Sequence, residues 1–546
     1  MAHLWQWDIG FVLVLVVLLR HLGKRLRHRF LLRQTCVEDL KRLGQSRPEN
    51  TKLKGTAVVC GGSIGGLLAA RVCHDHFARV IIVEPESWLG TEDATRKDAW
   101  KQEHSRTRVV QYHSLQGEKS GLCCLFPNFV EECIASDIHV CRGDFRSSTW
   151  GNWTRTPYAE YQGELPKTMF VGRPGLETLL RRLVFTSGNF PNITQVIGTA
   201  FGMTRSTSTA NILEEVMACD PNRSGLKWLQ REGFGHSIDG KYVKEALPLE
   251  DLRISYDQKI HYSTLAFRVT KELGERLDVP GGWENCGPIY NCFTDSEVEN
   301  RSIYSQRIEG DIVQLCCGAW GVANLPTTLE DVKSYVKSLV TDKPIPEWFF
   351  KILDLLGEVE DTVTCSKVRV SPSHFVQFHK AVNLPSNWIA LGDSVMRVNP
   401  VFGKVSLNIL NALKADVFLL LSQGCTKALM GAICLNTVLH ETDDIILEKF
   451  SRDFFELQAD KITPIWEGVK IGDYAYKTTI PVQGETLSKG TLLRWYIRKL
   501  HILAFTDKQA GSALWHVKMF LAPSIDYLQF GLILKVLGNF LLHPNA

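Results

Sequence analysis

The chain has 546 residues, 45% hydrophobic and 22% charged, with a formal net charge of +3. This composition supports a sizeable core and argues against disorder, and the near-balanced charge argues against nucleic-acid binding. At about 150 residues per domain, the length calls for two to four domains or one large two-domain enzyme.

The first element, Leu4 to Leu19, is apolar, and its uninterrupted part runs only from Ile9 to Leu19. A membrane span needs about 20 residues. Asp8 shortens this run, while Trp5 and Trp7 suit a lipid interface and lengthen it. Positive charge follows at Arg20, Lys24, Arg25, Arg27 and Arg29. A signal peptide carries its charge before the apolar stretch, so that reading is disfavoured. The expectation is an N-terminal membrane anchor and basic linker over residues 1–50, with a cytosolic domain behind it. An amphipathic or buried extension is the alternative.

Between Thr56 and Glu84 the pattern reads strand (TAVVC), Gly-rich turn, helix (SIGGLLAARVCHDHF), strand (ARVIIVEPE). A helix is expected over 173–185, an antiparallel sheet over 250–320, helices over 327–358, and a buried strand at 388–394 (WIALGDS). The C-terminal third reads as helical. Its end, Tyr527 to Leu542, suits either a packed amphipathic helix or a lipid-embedded one. The fifteen cysteines show no CxxC ladder and no metal-ligand spacing. Thiols in a reducing compartment, and no metal site, are expected. Four sequons, at Asn152, Asn192, Asn222 and Asn300, are within chance for this length and carry little weight.

The turn Gly61-Gly62-Ser63-Ile64-Gly65-Gly66 joins the strand to the helix, and Glu84 ends the second strand. Gly61 suits the tight bend, the next positions let backbone approach a pyrophosphate, and Gly66 lets helix and strand pack closely. The helix N-terminus offers unpaired N–H groups and a positive dipole. Glu84 is placed to accept ribose hydroxyls, which disfavours the 2′-phosphate of NADP at this site. Ser63 stands where a second glycine is usual. With strand, helix, strand and acid in register, dinucleotide binding outweighs a turn with packing duties alone.

The stretch WIALGDSVMRVNPVFG (388–403) ends a strand with Gly392-Asp393, then Pro400 and Gly403. It resembles the second flavin motif of class A FAD-dependent monooxygenases, the aromatic-hydroxylase-like flavoproteins. Further resemblance lies in RTRVVQYHSL (106–115), GRPGLETLLRRL, SGLKWLQREGFG and ISYDQKIHYSTLAF, so that it covers roughly 55–470, and a fungal and bacterial branch matches best. The resemblance implies an α/β fold: an FAD-binding Rossmann-like domain with an inserted, mainly antiparallel-sheet substrate domain and a helical C-terminal region. The expected divisions are 51–198 and 371–470 for the FAD-binding domain, 199–370 for the substrate domain and 471–546 for the helical region. Arg173 matches the family arginine near the flavin, Glu84 the adenosine-ribose acid, and Asp393 the ribityl-binding acid.

Two departures stand out. In this branch Gly403, Gln423 and Gly424 would be contiguous, but Lys404 to Ser422 separates them. That apolar segment carries Val405-Ser406 directly after Lys404 and has the length of a short fungal intron. It is read as a translated, unspliced intron; a genuine inserted helix, or Gly403 to Asn411 serving as loop and helix start, are the alternatives. Upstream, the family's Asp-Gly-type motif is compressed into VMACDPNRSGLKWL (216–229), with Asp220 out of register and Asp239-Gly240 beyond the matching segment. This casts doubt on whether the chain as it stands is catalytically competent.

The resemblance implies FAD as cofactor, NAD(P)H as reductant, and oxygen transfer through a C4a-hydroperoxyflavin to an apolar, secondary-metabolite-like small molecule. That chemistry belongs to the cofactor, so no catalytic side chain is named. His261 is either a substrate contact or structural. No halogenase WxWxIP or Baeyer–Villiger FxGxxxHxxxW signature is present. The alternatives are another flavin oxidoreductase on this fold, or a membrane-tethered, catalytically defective flavoprotein.

Overall fold

The computed structural model describes residues 2–101, 121–186, 188–203, 224–235, 246–321, 324–400, 423–443, 446, 448–519 and 521–542. Helix α1 (Ala2–Gln34) leads into strand β1 (Leu53–Cys60), helix α2 (Ile64–His76) and strand β2 (Phe77–Glu84). The strands are parallel, with Ala57 opposite Val80 and Cys60 opposite Val83. A third parallel strand, β3 (Ile193–Ile197), pairs with β2 after helix α3 (Arg173–Phe185). This is the expected βαβ unit. Ala57, Val59, Val80 and Ile82 are fully buried, and so are Leu67, Ala69, Ala70 and Val72 of α2. Those small and branched side chains let the helix lie close on the sheet.

The second body is a seven-stranded sheet in the spatial order Thr364–Arg369, Ile260–Arg268, Ile312–Trp320, Arg301–Ile308, Pro288–Phe293, Ser147–Thr149, Asn152–Trp153. Every pairing in it is antiparallel except that between Pro288–Phe293 and Ser147–Thr149. It has its own core, with Leu265, Phe267, Ile303, Val313 and Leu315 packed beneath the helices Leu329–Lys337 and Glu347–Leu355. The sheet expected over 250–320 is therefore present, widened by strands from 147–153 and 364–369. The chain ends in helices α4 (Gln423–His440), α5 (Phe450–Asp473), α6 (Thr491–Ala504), α7 (Lys508–Lys518) and α8 (Phe530–Leu542). The α/β class, the antiparallel second sheet and the helical C-terminal region are as expected.

Two expectations are corrected. Residues 388–391 are buried, and Trp388 forms a single bridge, but among the described residues they join none of the sheets, and 392–394 turn as a short 3-10 helix. Side chains of α5 bond to the backbone at Trp388 and Ala390. Ser451 Oγ accepts from Trp388 N at 3.1 Å and donates to Trp388 O at 2.5 Å, and Gln458 Nε2 donates to Ala390 O at 3.2 Å. The second correction concerns the N-terminal anchor. No helix among the described residues is long and apolar enough to cross a membrane. The run Ile9–Leu19 covers only about 16 Å of helix against a hydrocarbon core of about 30 Å. The other end of α1 is held by the protein. Arg27 donates to Asp526 at 2.8 and 2.7 Å, and Lys461 Nζ donates to the carbonyls of Leu32 and Thr35, each at 2.6 Å.

Candidate cofactor-binding site

The first bend follows β1. Gly61 has φ +103°, a conformation that only glycine adopts readily, and its N–H donates to Val83 O at 2.8 Å. A Cβ on Gly66 would lie 1.8 Å from Gly61 O, so only glycine permits this approach of helix to turn. Gly65 lies beside it in the first turn of α2. Two buried side chains clamp Gly62: its N–H donates to Glu84 Oε2 at 2.8 Å, and its carbonyl accepts from Arg181 Nη2 at 2.5 Å. Glu84 is fully buried, and its other oxygen accepts from Glu86 N at 3.0 Å. Ser63 is the N-cap of α2, but its side chain does not cap the helix. Its hydroxyl donates to Glu177 Oε2 at 3.0 Å and accepts from Arg173 Nη2 at 3.2 Å. The positive end of α2 thus lacks a side-chain cap and has the Arg173 guanidinium beside it.

The second bend follows the buried extended segment. Gly392 turns the chain at φ +60°, and Asp393 comes next. Lys427, from the first turns of α4, is buried. Its Nζ lies 3.4 Å from Asp393 Oδ1 and also donates to the Met396 carbonyl. Arg397 Nε is 3.9 Å from Asp393 Oδ2. The Asp393 side chain keeps 43% of its surface accessible, against 3% for Lys427, so one face of the carboxylate stays available. Burial works against its ionisation, but Lys427, Arg397 and Arg173 outweigh that and hold the carboxyl below its ordinary range. Burial likewise depresses Lys427, opposed by Asp393. Pro400 ends the described stretch. Gly403 and the segment 404–422 lie outside the described residues, and Gly424 falls in the first turn of α4.

The two bends meet. Arg173 bonds to Ser63 in the first and lies within electrostatic reach of Asp393 in the second. Cys425, at the start of α4, sits in the combined field of Arg173, Asp393 and Glu177. Helix α4 packs on α2 and on the Gly392 turn, where a Cβ added to Gly392 would rest 3.6 Å from Ala428 Cβ. Gly61, Gly62, Ser63, Gly65, Gly66, Glu84, Arg173 and Asp393 thus border one region.

A polar hub ties this region to the large sheet. Asp473, the last residue of α5, is fully buried and accepts from Tyr256 Oη at 2.7 Å, Trp320 Nε1 at 3.0 Å and Asn399 Nδ2 at 2.7 Å. Asn399 directly precedes Pro400, and Trp320 ends its strand and stacks on Tyr476 at 4.1 Å. Burial pushes the Asp473 carboxyl up to about 7, although the three donors pull it down. A second carboxylate joins the two bodies: Glu309, in the hairpin between two strands of the sheet, accepts from Gly172 N at 2.6 Å where α3 begins.

Lys427, Arg397, Glu177 and Asp473 escape sequence reasoning. The only available signal was a lysine and an aspartate inside otherwise apolar helical stretches. His261 Nδ1 lies 3.0 Å from Gly321 O, a structural contact. Asp220, Asp239-Gly240 and the stretch 106–115 lie outside the described residues. No group of His, Cys, Asp or Glu that could hold a metal occurs among the described residues.

No family model matches the chain, and no curated protein matches it. Solved structures similar to it include 2-methyl-3-hydroxypyridine-5-carboxylic acid oxygenase, at 15% identity and TM-score 0.44, covering 84% of this chain and 95% of that one. Klebsiella pneumoniae HpxO complexed with FAD and uric acid is similar at 10% identity and TM-score 0.44, over 85% and 97% of the two chains. P. aeruginosa PqsL in complex with 2-aminobenzoylacetate is similar at 11% and 0.41, over 85% and 99%. With TM-scores below 0.5, the functional reading rests on the chain's own geometry.

Proposed function

We propose that this chain is an FAD-dependent monooxygenase that uses NAD(P)H and O₂ to oxidise an apolar small molecule. The observation that carries the reading is the meeting of the two bends, with Arg173 bonded to Ser63 of one and acting on Asp393 of the other. The residues fit the cofactor. The turn has the close approach at Gly66 and the positive-φ bend at Gly61 that a pyrophosphate cradle requires. Arg173 and the N-terminus of α2 supply positive charge for phosphate oxygens. Glu84 stiffens the turn from beneath, and Asp393 presents an ionised acceptor for ribityl hydroxyls. FAD, once bound, supplies the electron storage that couples a nicotinamide to O₂. The protein's part is to bind, orient and exclude water, and the seven-stranded sheet is the body suited to cover a substrate. The hub at Asp473 keeps that sheet in register with the Asn399-Pro400 segment.

The test uses the purified full chain. It is expected to be yellow, or to become so with added FAD, and to oxidise NADH or NADPH faster when apolar phenols, terpenoids or polyketides are supplied. Colourless protein that takes up no FAD would sink the proposal and favour a structural role.

A further inference from the structure

Helix α8 is apolar on both faces. Leu532 and Val536 are fully buried against the protein. Phe530, Leu534, Leu537 and Leu541 are 76%, 53%, 42% and 78% exposed. Their spacing places them along one stripe of the helix, and Leu542 extends it at 77%. No charged side chain interrupts the stripe. Lys535 is drawn aside into an ion pair with Asp507 at 2.7 Å. Nothing among the described residues covers it.

A second uncovered apolar surface starts nearby. On α1, Val14, Leu15, Val17, Leu18 and Leu22 are exposed. Arg20, Lys24, Arg25 and Arg29 follow, also exposed and in no ion pair among the described residues. From Ile9 to Val37 the sequence contains no acidic residue. The Arg27–Asp526 pair, and Gln34 Oε1 accepting from Ser524 N at 3.1 Å, seat α1 on the turn Ser524–Leu528 that runs into α8. Both apolar surfaces therefore leave the protein from one junction.

We infer that α1 and α8 together form a docking surface for an anionic lipid bilayer, lying in the membrane plane without crossing it. The stripe of α8 would enter the acyl boundary, and the basic residues of α1 would meet the headgroup phosphates. The cations choose this occupant over a second copy of the chain. A two-fold pairing through this region would set like charges against each other, whereas lipid phosphates neutralise them. The absence of any helix long and apolar enough to cross a membrane among the described residues agrees with in-plane docking.

The experiment is co-sedimentation of the full chain with phosphatidylcholine–phosphatidylserine vesicles and with phosphatidylcholine vesicles. Bound protein is then challenged with high salt and with alkaline carbonate. Strong binding to the anionic vesicles only, released by carbonate, is expected. The triple variant Leu534→Glu/Leu537→Glu/Leu541→Glu and the quadruple variant Arg20→Glu/Lys24→Glu/Arg25→Glu/Arg29→Glu should each lower partitioning roughly 10-fold or more. Circular dichroism and melting confirm the fold of each, and the quadruple variant, which leaves α8 intact, serves if the triple one fails to fold. Equal binding to both vesicles, unaltered binding by the variants, or retention through carbonate would overturn the inference. So would a dimer in light scattering that the leucine variant dissociates while neither vesicle binds. Binding is scored whatever the flavin content, so this result and that of the flavin test are independent.

Discussion

Lys427 illustrates how single residues set the character of the site. Its ammonium is buried, and Asp393 and the Met396 carbonyl are its partners. A buried cation is costly unless paired, and a half-accessible carboxylate stays ionised most readily beside one. Substituting Lys427→Met should let the Asp393 carboxyl rise towards its ordinary value and weaken FAD binding about 10-fold, the worth of one charge-assisted hydrogen bond. The apolar replacement fills similar volume, so stability should fall by no more than ~2 kcal/mol, chiefly from the unsatisfied Met396 carbonyl. A fluorescence titration of FAD into the variant checks this, and unchanged affinity would remove Asp393 from the flavin site. Lys427 was not legible in the sequence because its partners lie 31 and 34 residues away across a turn. Gly61, Gly66 and Glu84 were legible because the βαβ unit is local and each glycine answers a backbone demand within it.

Among elements, α5 organises the most. It bonds the backbone at Trp388 and Ala390 through Ser451 and Gln458, and it ends in Asp473, which joins two strands of different sheets to Asn399. The segment WIALGDS reads as a strand because a short apolar run ending in Gly-Asp is the usual strand signal. Among the described residues, α5 side chains bond the backbone at Trp388 and Ala390, and no periodicity reports that. Asp473 has a pH consequence. Its carboxyl is raised from 3.8 to about 7 by burial, so the folded protein holds a proton that the unfolded chain releases. Its stabilising contribution is complete below about pH 4 and is lost as pH rises towards 7, a change on the order of 4 kcal/mol. Asp473→Asn mimics the protonated form, with its amide able to donate to Tyr256 Oη. The melting temperature of the variant relative to wild type should therefore climb between about pH 4 and pH 7 and level off above. Parallel melting profiles across that range would contradict the assignment.

For the whole molecule, the parallel βαβ body, the antiparallel sheet and helices α4 and α5 meet around one region bordered by both bends. The order of these bodies along the chain was legible from hydrophobic pattern. Their mutual placement was not, because it depends on contacts such as Glu309 with Gly172 and Asp473 with Trp320 that span more than a hundred residues. The N-terminal apolar run suits lipid in composition, but no helix among the described residues is long and apolar enough to cross a membrane. Isothermal titration of FAD into the full chain, compared with Arg173→Gln at the first bend and Asp393→Ala at the second, tests the central claim most directly. One FAD per chain is expected, with both variants folded and each weakened roughly 10-fold or more. Wild-type affinity in either variant, or no FAD uptake by the native chain, would contradict the account.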